Sequence, residues 1–205
     1  MAQAKAGLSA NEAASVTGVP LKEVHRIVDA GLLEGAVASR AGTRVIVGRG
    51  LVGLKLVHET ADLLTPKGRR QLVKRLLRQP ASTRVGENVL TVDVRPMETA
   101  IRRGLDALEK ARKMVSVDKD VPGGTPCFKG TRIPVHDIAT MIVNGDPKAA
   151  VLRAYPQLTT GQIDLAVLYA GAYPRRGRPR RKPLWRKGEP ISLEKYSLDD
   201  LLPKS

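Results

Sequence analysis

The segment of residues 123–138, GGTPCFKGTRIPVHDI, constrains the fold more than any other because it combines three glycines with two prolines. Pro126 and Pro134 disfavour helical backbone in the residues before them, and Gly130 permits a bend between the two prolines. The pattern predicts a short strand at VSVD (115–118), a sharp turn, and an extended arm that leads into a helical core. Extended arms of this kind commonly pair with a second copy of the chain, so we expect a homodimer.

Arg132 and Cys127 are the two residues of this arm whose roles the sequence allows us to predict. We expect Arg132 to anchor the arm through backbone carbonyls or through an acid such as Asp137 or Asp164, with phosphate binding by Lys129 and Arg132 as the alternative. Cys127 has no activating neighbour in the sequence and is expected to be a buried packing residue. Being the only cysteine, it excludes an internal disulfide and a cysteine-based zinc site.

Three helices are predicted after the arm, at residues 136–144, 146–155 and 158–173. Asp146 with Pro147, and Thr159 or Thr160, supply the helix-start signals. The last two helices have the spacing of a helix-turn-helix. Their apolar residues are sufficient to close a compact core.

The N-terminal residues predict a second helix-turn-helix. Ser9 and Glu12 form a capping box for a helix over 10–16, TGV makes a turn, and Pro20 begins a helix over 21–30. Two β-prone runs, 36–39 and 43–47, flank RAG and predict a hairpin at the position of a wing. On this reading Lys22, His25 and Arg26 approach the major groove of DNA, while Arg40 and Arg44 hold phosphates. A helical hairpin that packs and binds nothing is the alternative, and the sequence leaves open whether this module or the helix-turn-helix within 146–173 contacts DNA.

This N-terminal arrangement resembles the winged helix-turn-helix of MerR-type regulators over about 50 residues. The connector that follows predicts helices at 51–64, 65–79 and 96–115 and a hairpin at 83–94. The basic face of the 65–79 helix is either solvated or placed along a phosphate backbone, and the sequence does not separate the two.

Charge is unevenly distributed along the 205 residues, whose net charge is +15. Residues 1–65 and 114–173 are nearly neutral, whereas 66–113 carry +8 and 174–205 carry +6. This clustering predicts a polyanionic partner, most commonly nucleic acid. It also suggests four parts: a winged helix-turn-helix (1–65), a basic connector (66–113), a helical domain that dimerises (114–173) and a disordered basic tail (174–205). The fold class is mainly α with short β-hairpins.

Residues 114–173 resemble the DUF433 family. The resemblance rests on the motifs GGTPCFKGTRIPV and YPQLTT, through Gly123, Gly124, Pro126, Gly130, Thr131, Arg132, Pro134, Tyr155 and Pro156. Many members are taken as antitoxins of type II toxin–antitoxin systems, each paired with a PIN-like ribonuclease. Longer members with an extra N-terminal DNA-binding segment, the layout of this chain, resemble VapB-type antitoxins. The resemblance implies an antitoxin that inhibits such a toxin through its C-terminal region and represses its own operon by binding operator DNA, as a homodimer or as a toxin–antitoxin hetero-oligomer.

The tail has three interpretations. Eight of the 13 residues 175–187 are Arg or Lys, so the segment cannot fold alone. It can fill the acidic, magnesium-binding cleft of a PIN-like toxin, with a short helix over 192–202 adding contacts. The residues expected to bind toxin are Arg180, Arg181, Trp185, Arg186, Leu193, Tyr196, Leu198 and Leu201. Alternatively, RGRP resembles an AT-hook in which Arg176 and Arg178 enter a narrow minor groove. A solvated tail is the third possibility.

The sequence shows no recognisable set of catalytic residues. The three histidines are far apart, and neither a phosphate-binding glycine loop nor a serine-nucleophile motif is present. We therefore expect no enzyme, no metal and no cofactor. The absence of a long apolar run and of a secretory signal predicts a cytoplasmic protein with no membrane contact. Besides the antitoxin, a stand-alone DNA-binding regulator and a protein-binding adaptor remain alternatives.

Overall fold

Helices dominate the computed structural model, which describes residues 7–87, 90–117 and 124–175. The helices are α1 (Ala10–Thr17), α2 (Leu21–Asp29), α3 (Gly50–Glu59), α4 (Pro66–Arg78), α5 (Arg95–Lys113), α6 (Val135–Val143), α7 (Lys148–Ala154) and α8 (Thr160–Ala172). The strands form three antiparallel pairs: β1 (Val37–Arg40) with β2 (Thr43–Ile46), β3 (Arg84–Glu87) with β4 (Leu90–Asp93), and β5 (Val115–Val117) with β6 (Pro126–Phe128). The prediction of a mainly helical chain with short hairpins is confirmed.

The start of α1 is fixed by the capping box that the sequence predicts. Glu12 N donates to Ser9 Oγ, and Ser9 N donates to Glu12 Oε2 at 2.8 Å, which satisfies two otherwise unpaired N–H groups. Gly18 ends the helix with φ +73°, a left-handed conformation that glycine adopts without steric cost. Pro20 then begins α2, so the helix–turn–helix path of residues 10–29 follows directly from local sequence signals.

The β1–β2 hairpin is closed by Ala41 and Gly42, which have φ +47° and +75°. Two positive φ values in a two-residue loop match the right-handed twist of the strands. Leu8 extends the hairpin by exchanging both backbone hydrogen bonds with Ile46 (2.8 and 2.9 Å). The first turn of α1 is therefore held beside β2.

One connector helix differs from its prediction. The 51–64 helix ends at Glu59, because residues 60–64 continue as turns. Thr60 Oγ1 donates to the carbonyl of Leu56 at 2.7 Å, a side-chain bond that competes with helical pairing. The neighbouring helix α4 starts at Thr65 as expected, because the Thr65 hydroxyl accepts a hydrogen bond from Gly68 N.

The glycine- and proline-rich segment is more compact than the extended arm predicted. Residues 126–128 pair with 115–117 of the same chain, and Cys127 forms a second bridge to Pro134. The chain folds back at Gly130 (φ +79°), where Thr131 Oγ1 donates to Phe128 O at 2.9 Å. This β-turn replaces the continuous extension because glycine at 130 allows the reversal.

Helix α8 occupies the middle of the molecule. It packs against α1, α5 and α6, and its apolar residues lie on all sides, as expected of a helix with several neighbours. Its N-terminus is fixed by a capping box between Thr159 and Gln162. Ala172, near its end, joins the core built by α1–α5, whereas Ile163 and Ala166 join a second core around Phe128 and Ile138.

The chain up to Arg175 thus forms one compact unit in which two apolar cores share one helix. Helix α7 contributes only Val151 to full burial. It begins at Pro147 without a side-chain cap, so the capping role expected of Asp146 is not observed. Asp146 instead donates its backbone N–H to Met141 O in the turn after α6.

Candidate nucleic-acid interface

Helix α2 has one buried face and one cationic face. Val24 and Ile27 are buried, which orients the helix and leaves Lys22, His25 and Arg26 exposed on the opposite side. Arg26 makes an ion pair with Glu23 one turn earlier, and its side chain remains 68% exposed. Three groups that can donate hydrogen bonds to an acidic partner therefore project from one helix.

The hairpin places two further cations close to α2. Arg40 and Arg44 are both exposed. Arg44 Nη1 lies 2.7 Å from Asp29 Oδ1 at the end of α2, which joins the hairpin to the helix. Both of these side chains remain more than half exposed, so the pair is solvated and contributes little to stability. The five DNA-binding residues predicted in the N-terminal part thus lie on adjacent, exposed elements.

A groove of about 210 Å³ separates these elements. It is lined by the first turn of α1, by His25 and Val28 of α2, and by the hairpin residues Val37, Thr43 and Arg44. The backbone bridge between Leu8 and Ile46 holds the start of α1 beside β2. A second concavity of about 360 Å³, lined by residues that include Glu34 and Arg70, shares Val28 and Val37 with this groove.

Other arginines of the same region serve the fold instead. Arg49 donates hydrogen bonds to the carbonyls of Gln79, Pro80 and Ser82 at 2.8–2.9 Å and pairs with Glu98. Its side chain is only 17% exposed. It connects the end of the hairpin to the loop after α4 and to α5.

The basic face of α4 is also partly engaged. Arg70 donates to Ala30 O at 2.8 Å and Lys74 pairs with Glu34 at 3.2 Å. Arg75 donates to Gly86 O at 2.6 Å. These contacts join α4 to the loop after α2 and to the β3–β4 hairpin.

The structure gives most of the family-motif residues backbone roles. Gly124 has φ +60° and Gly130 has φ +79°, Pro126 lies in β6 and Pro134 precedes α6. Tyr155 ends α7 and accepts a hydrogen bond from Leu158 N at its carbonyl; Pro156 is exposed in the turn that follows. Gly123 lies outside the described residues. Cys127 is buried, as expected.

The anchoring role expected of Arg132 is not observed. Its side chain is exposed, and no hydrogen bond or ion pair joins it to another residue within the described ranges. Both candidate acids are engaged elsewhere, because Asp137 pairs with Arg175 and Asp164 with Lys148. The turn is held by Thr131 instead, whose hydroxyl also accepts a hydrogen bond from Ile133 N.

The remaining predicted site residues lie outside the described residues. These are the AT-hook-like Arg176 and Arg178, and the toxin-binding set of Arg180, Arg181, Trp185, Arg186, Leu193, Tyr196, Leu198 and Leu201.

A polar cluster that sequence reasoning missed joins the two ends of the described chain. Tyr173 Oη donates to Glu12 Oε1 at 2.6 Å, and Arg112 Nη2 lies 2.6 Å from the same oxygen. The Arg112 guanidinium also lies over the Tyr173 ring, 5.5 Å from its centroid. His136 Nε2 donates to the backbone carbonyl of Tyr173 at 2.7 Å. No local sequence signal indicates this cluster, because its members are far apart in the chain.

The cluster shifts two pKa values in opposite directions. Burial by itself raises the pKa of Glu12, but hydrogen bonds from Tyr173, Ser9 and Arg112 outweigh it and hold the pKa below its usual value of 4.5. Burial and the hydrogen bond to Glu12 raise the pKa of Tyr173 to about 12. Glu12 is therefore ionised and Tyr173 protonated over the physiological range.

The described residues contain neither a candidate metal site nor a candidate membrane span. No group of three or more His, Cys, Asp or Glu side chains is close enough to hold a metal ion. Within the same ranges no helix has the length and apolarity needed to cross a membrane.

Comparison with known proteins identifies one domain and one relative. Residues 115–170 match the family model described as "Protein of unknown function (DUF433)". The chain is 34% identical over 186 residues to "Uncharacterized protein y4eO" of Sinorhizobium fredii (strain NBRC 101917 / NGR234), which covers 84% of each chain. No solved structure matches the chain significantly. Because this identity extends over most of both sequences, the chain belongs to the same protein family as y4eO and contains a DUF433 domain at residues 115–170.

Proposed function

We propose that this chain is a DNA-binding protein in which α1, α2 and the β1–β2 hairpin act as a MerR-like winged helix-turn-helix. The observation that supports this most is the exposure of Lys22, His25 and Arg26 along one face of α2, beside Arg40 and Arg44 of the hairpin. A helix with its apolar side buried and such donors on its outer side fits the major groove. Arg26 and Lys22 can then reach base edges, while Arg40 and Arg44 neutralise phosphates.

Fluorescence anisotropy with the full chain tests this proposal. A labelled duplex, selected by the purified chain from random sequences, is titrated over a range of salt concentrations. Log affinity falls linearly with log salt, as for a protein that displaces counterions. Arg26→Ala reduces the preference for the selected duplex over mixed sequence, by about tenfold for a lost base contact, whereas Arg40→Ala weakens binding to both.

The matched control is Lys148→Ala, which removes the same charge from an exposed ion pair with Asp164 in the DUF433 domain. It leaves affinity and salt dependence close to those of wild type. Absence of duplex binding by the wild-type chain at low salt, or equal losses for Arg26→Ala and Lys148→Ala, would contradict the proposal.

A second proposal concerns the biological role. The chain contains a DUF433 domain at 115–170, and the run of eight cations within residues 175–187 suits an acidic protein cleft. We propose that the chain is a homodimeric antitoxin that binds a PIN-like ribonuclease through its C-terminal region and represses its own operon.

Co-expression with the product of the adjacent gene, followed by affinity purification and a ribonuclease assay, tests the antitoxin role. The expected result is a stable complex without ribonuclease activity, which the combined substitution of Arg180, Arg181 and Trp185 by Ala disrupts. Lys148→Ala again serves as the control. If no protein co-purifies and growth is unchanged without this chain, the antitoxin role is wrong. Weaker DNA binding after substitution of Arg176 and Arg178 would then favour the stand-alone regulator.

A further inference from the structure

The groove between α1, α2 and the β1–β2 hairpin has a polar rim that the fold does not use. The rim carries Asn11, His25, Thr43 and Arg44. Asn11, His25 and Thr43 make no side-chain hydrogen bond within the described ranges, and Arg44 has only its exposed ion pair with Asp29. At the start of α1 the Ser9–Glu12 capping box uses the N–H groups of Ser9 and Glu12.

The floor of the groove is apolar. Val28 of α2 and Val37 of β1 lie there, and both are half-buried and packed against the N-terminal core. A concavity of about 210 Å³ with an apolar floor and hydrogen-bond donors at its rim suits a small ligand unit that is apolar on one side and anionic on the other. A deoxyribose ring with its attached phosphate has this character.

The position of the groove favours a DNA backbone over other ligands of that kind. When α2 lies in a major groove and the hairpin lies beyond its edge, one sugar–phosphate strand must pass between them, because that strand separates the two grooves of the duplex. The concavity lies between these two elements. We propose, on the basis of the proposed DNA-binding function, that this groove seats one sugar–phosphate unit of the bound duplex and thereby fixes the register of α2.

Asp29 has a distinct part in this site. Its carboxylate holds Arg44 at 2.7 Å beside the groove, with both side chains more than half exposed. Because this pair is solvated, Arg44 can leave Asp29 and bind a phosphate at little cost in free energy. The negative charge of Asp29 then remains close to the phosphate. Asp29 therefore opposes DNA binding while it orients Arg44. Asp29 lies at the C-terminal end of α2, where a negative charge is unfavourable, so loss of this charge should not destabilise the helix.

Three substitutions test the site by fluorescence anisotropy on the selected duplex. Arg44→Gln lowers the slope of log affinity against log salt by about 0.9, the value for one lost phosphate contact. Thr43→Val, which preserves shape, weakens binding about three- to tenfold, the range for one lost hydrogen bond. Asp29→Asn strengthens binding, a direction that a merely structural role for Asp29 does not produce. Lys148→Ala is the control for loss of a charge.

A complementary series replaces single phosphates of the duplex by neutral methylphosphonates. At one position the replacement should weaken binding by the wild-type protein. The same replacement should have little further effect on binding by Arg44→Gln, because both changes remove the same arginine–phosphate contact. If Arg44→Gln and Thr43→Val bind the duplex as tightly as wild type while Arg26→Ala binds it more weakly, the proposed sugar–phosphate site is wrong and the proposed DNA-binding function stands. If wild type binds no duplex, both are wrong.

Discussion

Tyr173 and Glu12 are 161 residues apart in the sequence, yet their side chains are joined by a hydrogen bond of 2.6 Å. Glu12 lies in the first turn of α1, the helix that begins the proposed DNA-binding module, and Tyr173 directly follows the last residue of α8. Arg112 of α5 binds both side chains. A single polar cluster therefore connects three helices that come from the beginning, middle and end of the described chain.

Removal of the Tyr173 hydroxyl should destabilise the chain. Tyr173→Phe leaves the Glu12 carboxylate, whose side chain is 13% exposed, without one of its donors, and hydrogen bonds to charged groups contribute about 1.5–3 kcal/mol. Urea unfolding monitored by circular dichroism measures the change. Tyr155→Phe is the matched control, because no side-chain hydrogen bond of Tyr155 is found among the described residues. Equal effects of the two changes would contradict the role of the cluster.

The contribution of Glu12 should depend on pH. Its pKa is lower in the folded chain than the usual 4.5, so the stabilisation is present above 4.5 and is lost as the pH falls through the lower folded value. Glu12→Gln should therefore cost more stability at neutral pH than in acid. Unfolding free energies measured for both proteins across this range should converge at low pH, and a constant difference would show that the charge of Glu12 is not involved.

Close packing of α5 on α1 should make Gly104 intolerant of a side chain. A Cβ at this position would lie 2.3 Å from the carbonyl oxygen of Val16, and such overpacking costs about 1–3 kcal/mol. Gly104→Ala should lower the melting temperature. Gly161→Ala is the control, because this glycine is also helical and has no atom within 4 Å of the added Cβ; it should be neutral or stabilising by up to about 1 kcal/mol.

The tip of the β1–β2 hairpin should become more stable when Ala41 is replaced by Gly. Ala41 has φ +47°, a left-handed conformation that costs a residue with a side chain about 1 kcal/mol or more. Thermal unfolding should show a small gain for Ala41→Gly. Ala38→Gly, in the adjacent strand, should reduce stability instead, because glycine weakens a strand. A loss at both positions would show that the turn is not strained.

Local signals explain why much of the secondary structure could be predicted. The capping boxes of Ser9 with Glu12 and of Thr159 with Gln162 are short-range patterns, and each marks the start of a helix in the structure. The hairpins at 37–46 and 84–93 and the overall mainly helical character were also predicted correctly. These features depend on residues only a few positions apart.

Tertiary contacts set the limits of that prediction. Arg44 and Arg49 are the same residue type five positions apart, yet one is exposed beside the groove and the other donates to three carbonyls near Glu98. The difference depends on the path of a loop more than 25 residues away, which no local pattern encodes. Arg132 has no side-chain partner among the described residues for the same reason, since its expected acids pair with Arg175 and Lys148.

The sharing of α8 between two cores has a consequence for biosynthesis. Ala172 packs into the core built by α1–α5, so the ribosome must deliver nearly all of the described chain before the first helices gain their last apolar neighbour. Domains usually fold as units while synthesis proceeds. In the nascent chain, however, the surface of α1 that packs against α8 stays exposed to solvent until residue 172 has left the ribosome. The amino-terminal half therefore completes its fold only after the carboxy-terminal half has been synthesised.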